Sequence, residues 1–144
     1  MPSNEVAGKG RAGLRTAWHP RCIACSGRNR AGLGLEFRQQ PDGSVTASFS
    51  CDPTYQGYTD CLHGGIIAML FDAAMTNCLF CHGLVGMTAR LTVAFRNPAC
   101  LNEPATIRAY IAQHSRTLYL LKAELWQQGA VKARAEGKFM QRTD

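Results

Sequence analysis

The first residues lack the apolar core of a secretory signal, and no run reads as long and apolar enough to span a bilayer. The chain is therefore expected to be cytoplasmic and to have no membrane partner. No internal repeat or low-complexity tract interrupts it, so its 144 residues point to one domain with a sizeable core. The seven cysteines are an odd number outside any secretory context. That argues against a disulfide framework and for reduced thiols. Acidic residues are few, 10 against 16 Lys and Arg, for a net charge of +6. The basic residues are scattered (Arg90, Arg96, Arg108, Arg116, Lys122, Lys132, Arg134, Lys138). No dense basic cluster is interleaved with aromatics, so no nucleic-acid partner is expected. A phosphate-bearing small molecule or a plain solvated basic surface fits the charge.

Residues 1–21 are basic and Gly-rich (Lys9, Gly10, Arg11, Gly13, Arg15) and read as a flexible lead-in. Residues 22–144 read as a single domain. "LGLEFRQQ", the turn "PDG" and "SVTASFS" make a hairpin, with Val45, Ala47 and Phe49 on one face. Gly65 to about Cys81 contains no breaker and is apolar nearly all round, which predicts an enclosed helix stopped near Gly83. "MTARLTVAF" alternates, with Thr88, Arg90, Thr92 and Ala94 on one face and Ala89, Leu91, Val93 and Phe95 on the other. Three further strand-like segments follow at turn-length spacing, which favours antiparallel pairing. The expected class is α+β, an antiparallel sheet curved around one long central helix.

Asp72 is the one acid of "HGGIIAMLFDAAM", and a lone charge among apolar residues is either paired or used. "HGG" stands where a helix begins, with free N–H groups and a favourable dipole for an oxyanion. Gly64 and Asp72 lie about 12 Å apart along a helix axis, too far to share one reacting carbon. If both act, a second subunit supplies one of them. Two CxxC pairs, Cys22/Cys25 and Cys78/Cys81, have zinc-ligand spacing. Cysteine at the end of an apolar helix is, however, more often a small buried hydrophobe. His19, His82 and His114 read as packing or surface residues. Cys51, Cys61 and Cys100 lack the context of a nucleophile.

"CIACSGRNRAGLGLEF", "YQGYTDCLHGGIIAMLFDAAM", "MTARLTVAFRNPA" and "GAVKARAEGKFM" together resemble the PaaI-like hotdog-fold thioesterases of the 4-hydroxybenzoyl-CoA thioesterase superfamily. The resemblance runs from about Cys22 to Met140. It implies a hotdog fold, a homodimer joined sheet edge to edge and often a homotetramer, and active sites at the subunit interface. It implies hydrolysis of acyl-CoA to free acid and CoA, with no cofactor and no metal. By position, Asp72 matches the catalytic carboxylate, acting as general base or nucleophile. Gly64, with Gly65 beside it, matches the backbone donor to the thioester carbonyl. His63 matches the loop-shaping histidine, and Thr88 a hydroxyl that positions water. Gln56, Gly57, Tyr58 and Arg90 fall at substrate-binding positions. Relatives carry Asn or Gln several residues before HGG, where this chain reads "YQGYTDCL", so Gly57 or a shifted Gln56 fills that place. The alternative is a non-hydrolytic hotdog module that binds acyl-CoA or an acyl group. A hotdog dehydratase would need a His–acid pair, for which only His63 offers itself.

Overall fold

From Gly64 to Cys81 no proline intervenes and Asp72 is the only charged residue, and the whole run folds as one helix. The computed structural model describes residues 11–142. In chain order it contains α1 (Arg11–Trp18), β1 (Arg38–Gln39), β2 (Val45–Ser50), a 3-10 turn (Pro53–Tyr55), α2 (Gly64–Cys81), β3 (Gly86–Phe95), β4 (Pro104–Ser115), β5 (Leu118–Gln127) and β6 (Ala130–Gln141). The strands form one sheet in the order β1-β2-β4-β5-β6-β3, with every pairing antiparallel. This is the expected α+β arrangement of a sheet around a long helix.

The end of α2 is set by Gly83, whose φ of 74° is the left-handed conformation that glycine adopts at low cost. Leu84 N–H then donates to Leu79 O and Gly83 N–H to Phe80 O, the paired bonds of a Schellman stop. By length and composition α2 could cross a membrane, contrary to the sequence expectation. Here 61% of it is buried inside the fold, the setting of a core helix with apolar residues all round.

Inward-facing side chains of the sheet cover that helix. Val45, Ala47 and Phe49 come from β2, Ile107 and Ala109 from β4, Leu121, Ala123 and Leu125 from β5, and Ala133, Ala135 and Phe139 from β6; all are buried. Alanines at these places let helix and sheet approach closely. Closest of all is Gly137, where an added Cβ would lie 2.5 Å from Met75 Sδ. Register shifts between Thr88 and Arg90, Ile111 and Gln113, and Leu125 and Trp126 mark bulges that bend the strands around α2.

Gln127 is a buried polar residue at the end of β5. Its Oε1 accepts from Cys100 N–H at 2.8 Å, and its Nε2 donates to Cys100 O at 2.8 Å and Glu103 O at 3.1 Å. One amide thus satisfies three backbone groups of the β3–β4 loop. Gln127→Leu should lower unfolding stability by about 2–4 kcal/mol, because those groups stay buried and lose their partner. Urea denaturation of the variant against the parent measures this.

Two further expectations need correction. The lead-in was expected to be flexible through residue 21, yet Arg11–Trp18 is helical. Leu14 on α1 is fully buried against Phe80 and Val85, with Trp18 packed beside them. Residues 1–10 lie outside the described residues. The first hairpin strand is also shorter than "LGLEFRQQ" implied, with two residues in the ladder. Leu33 and Leu35 donate their N–H groups to Ile23 O and Ala24 O instead, so the segment belongs to the preceding loop although Leu35 and Phe37 are buried.

Candidate active site

Asp72 lies midway along α2, half-buried. Thr88 Oγ1 on β3 donates to Asp72 Oδ1 at 2.6 Å. Asp72 Oδ2 has no donor among the described residues, so one oxygen is fixed and the other is available. Strict alternation puts Thr88 on the face opposite Leu91 and Val93, away from the helix. The bulge between Thr88 and Arg90 reverses the parity there. Thr88 pairs with inward-facing Phe139, while Arg90 pairs with Lys138. An extra residue in one strand re-aims the next side chain, and here it turns a hydroxyl onto the only acid of α2.

The second group of residues forms the start of α2. His63 has extended backbone and caps the helix, its Nδ1 accepting from Gly65 N–H at 2.8 Å. Ile66 and Ile67 donate to His63 O. Gly65 N–H is therefore occupied, and it does not stand beside Gly64 as a second open donor. Gly64 N–H has no acceptor among the described residues. His63 N–H donates to Tyr55 O at 2.8 Å, which ties the preceding loop to the helix entrance.

A cleft of about 330 Å³ opens at this point, lined by Thr54, Tyr55, Gln56, His63, Gly65, Ile66 and Met69. Gln56 Oε1 accepts from Asp60 N–H at 3.0 Å, which leaves Nε2 as the end of that amide able to donate. Gly57 is packed against the histidine instead; a Cβ there would lie 3.1 Å from His63 Cα. Of the two candidates for the polar position before HGG, Gln56 therefore lines the cleft. Tyr58 is 90% exposed and lies outside that lining. Arg90 is exposed on β3 beside Lys138 in register, on the opposite parity from Thr88. The chain thus brings together Asp72 with Thr88, and Gly64 with His63 and Gln56, but keeps the two groups about two helical turns apart.

β3 links them. At one end Thr88 holds Asp72, and at the other the Phe95 ring lies 3.4 Å from where a Gly64 Cβ would stand. β3 is also an edge strand of the sheet. Met87 and Phe95 on it are 58% and 57% exposed.

The cysteines are poor nucleophiles. Burial pushes the Cys25 thiol up to about 11 and the Cys78 thiol up to about 12, and it also raises Cys51. Thiols held protonated do not attack a thioester. Arg108 is committed to Asp42 at 3.0 Å. The Asp42 carboxyl is held down to about 2 mainly by hydrogen bonds from Ser44, with Arg108 adding to them. His82 Nε2 lies 2.9 Å from Gly43 O, and His114 stacks on Tyr119; both have packing roles. His19, Cys22 and Cys25 place their potential ligand atoms within 4.8 Å of one another. The CxxC of α2 is not part of that group, which sequence spacing alone did not reveal.

The sequence profile of the Thioesterase superfamily matches residues 60–133. Human acyl-coenzyme A thioesterase 13 is 26% identical over 98 residues, 67% of this chain and 70% of that protein. A solved thioesterase superfamily protein superposes with a TM-score of 0.78 at 25% identity, covering 82% of this chain and 62% of that longer one. The E. coli PaaI protein from the phenylacetic acid degradation operon has the same fold, with a TM-score of 0.70 at 19% identity over 75% of this chain and 83% of its own. The curved sheet around α2 is thus the hotdog fold, and the chain belongs to the thioesterase superfamily, a hydrolase family acting on thioesters.

Proposed function

We propose that the protein hydrolyses acyl-CoA thioesters to a free acid and CoA, at sites each completed by two copies of the chain. The observation that carries this reading is the Asp72 carboxylate, fixed through Oδ1 by Thr88 and open at Oδ2, on a helix with no other charged residue. The name of the human relative supplies the substrate class.

The composite site follows from β3. Asp72 marks one end of this edge strand and Gly64 the other. Antiparallel pairing of β3 with its copy, centred near Leu91 and Thr92, sets Thr88 of one subunit opposite Phe95 of the other. Asp72 then faces the partner's Gly64, and the 12 Å between them within one chain ceases to be an obstacle. The pairing also covers the unpaired edge, which soluble proteins seldom leave open along a strand of this length, and buries the exposed Met87 and Phe95.

In this site Gly64 N–H donates to the thioester oxygen, with Gln56 Nε2 as a second donor from the same cleft. Preorganised donors of this kind stabilise the oxyanion as the carbonyl carbon becomes tetrahedral. Asp72 Oδ2 takes a proton from water as the water attacks, and the proton passes to the departing CoA sulfur. Attack by Asp72 itself would give an acyl anhydride that water then opens, with the same net reaction. Thr88 keeps the carboxylate in one rotamer. Thr88→Val should therefore lower kcat about tenfold with little change in KM, since the hydroxyl positions a catalytic group and does not touch the acyl-CoA. Steady-state kinetics on the best substrate checks this.

The reading is tested by a thiol-release assay over short, medium, long and aromatic acyl-CoAs. Turnover of at least one class is expected. Saturable binding without thiol release from any of them would instead favour a non-hydrolytic acyl-CoA-binding module.

A further inference from the structure

We propose that His19, Cys22 and Cys25 bind one zinc ion through His19 Nδ1 and two thiolate sulfurs, with water as the fourth ligand. The ion cross-links the turn that follows α1, between its His19 and Cys25 ends.

The donor set has the composition of a Cys₂His zinc site. The three potential ligand atoms already lie within 4.8 Å of one another. A tetrahedral site with ordinary zinc–sulfur and zinc–nitrogen bonds needs edges of about 3.5–3.8 Å. The Cys25 Sγ to His19 Nδ1 distance of 3.8 Å meets this, and the widest edge closes by a side-chain adjustment of about 1 Å.

The surroundings are those of a supported metal site and not of an accidental group. Ala24 N–H donates to Cys22 Sγ at 3.3 Å, a bond that favours the thiolate form. Arg15 Nη1 donates to Cys25 O at 3.0 Å, and Ser26 Oγ to Pro20 O at 2.7 Å, which holds the turn on both sides. The His19 ring is set edge-on against Phe80 at 5.2 Å, which limits its rotation.

Asn77 gives a second, independent indication. It is fully buried on α2, its Nδ2 donates to Ala73 O at 2.9 Å, and its side chain is close enough to Cys25 to influence the thiol. Its Oδ1 is buried with no partner. A buried carbonyl oxygen without a donor costs on the order of 1–3 kcal/mol. A zinc-bound water next to Cys25 would supply that donor. The ion also accounts for a deeply placed thiol that takes no part in hydrolysis.

Ligation is balanced: zinc replaces one proton on each thiol, both protons pass to solvent, and the imidazole enters neutral. Two thiolates offset the charge of the ion, so Asp72, close enough to His19 to influence it electrostatically, keeps its own charge environment.

The test uses the full chain, purified under reductant, stripped with a chelator and titrated with Co²⁺. The parent should take up about one equivalent. It should show thiolate-to-cobalt charge-transfer absorption and tetrahedral ligand-field bands, both abolished by added zinc. Elemental analysis of unstripped protein should give about one zinc per chain. Cys22→Ser and Cys25→Ser should lose the spectrum, whereas Cys100→Ser, at an exposed position, should retain it. Absence of thiolate–cobalt absorption in the parent would overturn the proposal without reliance on any variant. An unchanged spectrum in the Cys22→Ser/Cys25→Ser double variant would also overturn it.

Discussion

Asp72→Asn should reduce thiol release on the order of 10³-fold, about 4 kcal/mol of transition-state stabilisation, while the fold and subunit assembly remain intact. Asparagine has the same shape and still offers an oxygen to Thr88 Oγ1, whose bond to Oδ1 at 2.6 Å fixes the side chain. What it lacks is a basic or nucleophilic oxygen at the open position. Loss of that oxygen removes proton abstraction and covalent attack alike, so the result does not depend on which route operates. Burial also predicts no loss of stability: Asp72 is half-buried, and a neutral isostere there relieves desolvation instead of adding to it. Circular dichroism and size-exclusion chromatography should match the parent. Turnover within a few-fold of the parent over the whole acyl-CoA panel would remove Asp72 from the mechanism.

The second large effect is expected from a substitution that deletes a single N–H. Gly64 is the first residue of α2, where the amide has no partner within the helix and proline is well tolerated. His63 before it has ψ of 133°, within the range that a residue preceding proline adopts. A Cβ at position 64 would meet only the Phe95 ring, at an ordinary 3.4 Å. Gly64→Pro should therefore leave the helix intact and cost about 10²–10³ in kcat, the usual effect of removing one oxyanion donor. Gly64→Ala adds the same Cβ but keeps the N–H, and should stay within a few-fold of the parent. Equal loss in both variants would assign the effect to packing against Phe95 and not to the amide.

The parts of the structure legible in the sequence are those set by local pattern. An apolar run without breakers marks α2, and alternation marks Val45, Ala47 and Phe49 as the inward face of β2, because each burial choice is made within a few residues. The rest depends on partners distant in the chain. The bulge that turns Thr88 onto Asp72 arises where β3 registers against Phe139 and Lys138 of β6, and alternation along β3 alone assigns the opposite face. Helix α1 is amphipathic, with Leu14 and Trp18 one turn apart against Phe80 and Val85, but it is only two turns long and lies in a basic, Gly-rich segment, the composition of a flexible lead-in. "HGG" at a helix start allows His63 as a capping group, but not which N–H it takes, and here His63 Nδ1 consumes that of Gly65. The two CxxC motifs looked alike in spacing. The fold separates them: Cys25 interacts with His19 and Asn77, while Cys78 lies against the backbone of Ile111 on β4.

The composite site makes a claim that a mixture of inactive subunits can decide. Asp72→Asn and Gly64→Pro subunits, each inactive alone, are unfolded together, refolded and assayed for acyl-CoA hydrolysis. If a site takes Asp72 from one subunit and Gly64 from its partner, half of the dimers formed are mixed, and each has one intact site and one doubly defective site. Activity should then recover to about a quarter of the parent value, far above the roughly 10²–10³-fold reduced level of either variant. Activity that stays at the level of the separate variants, although mixed dimers have formed, would contradict the shared site and place Asp72 and Gly64 in the service of one chain.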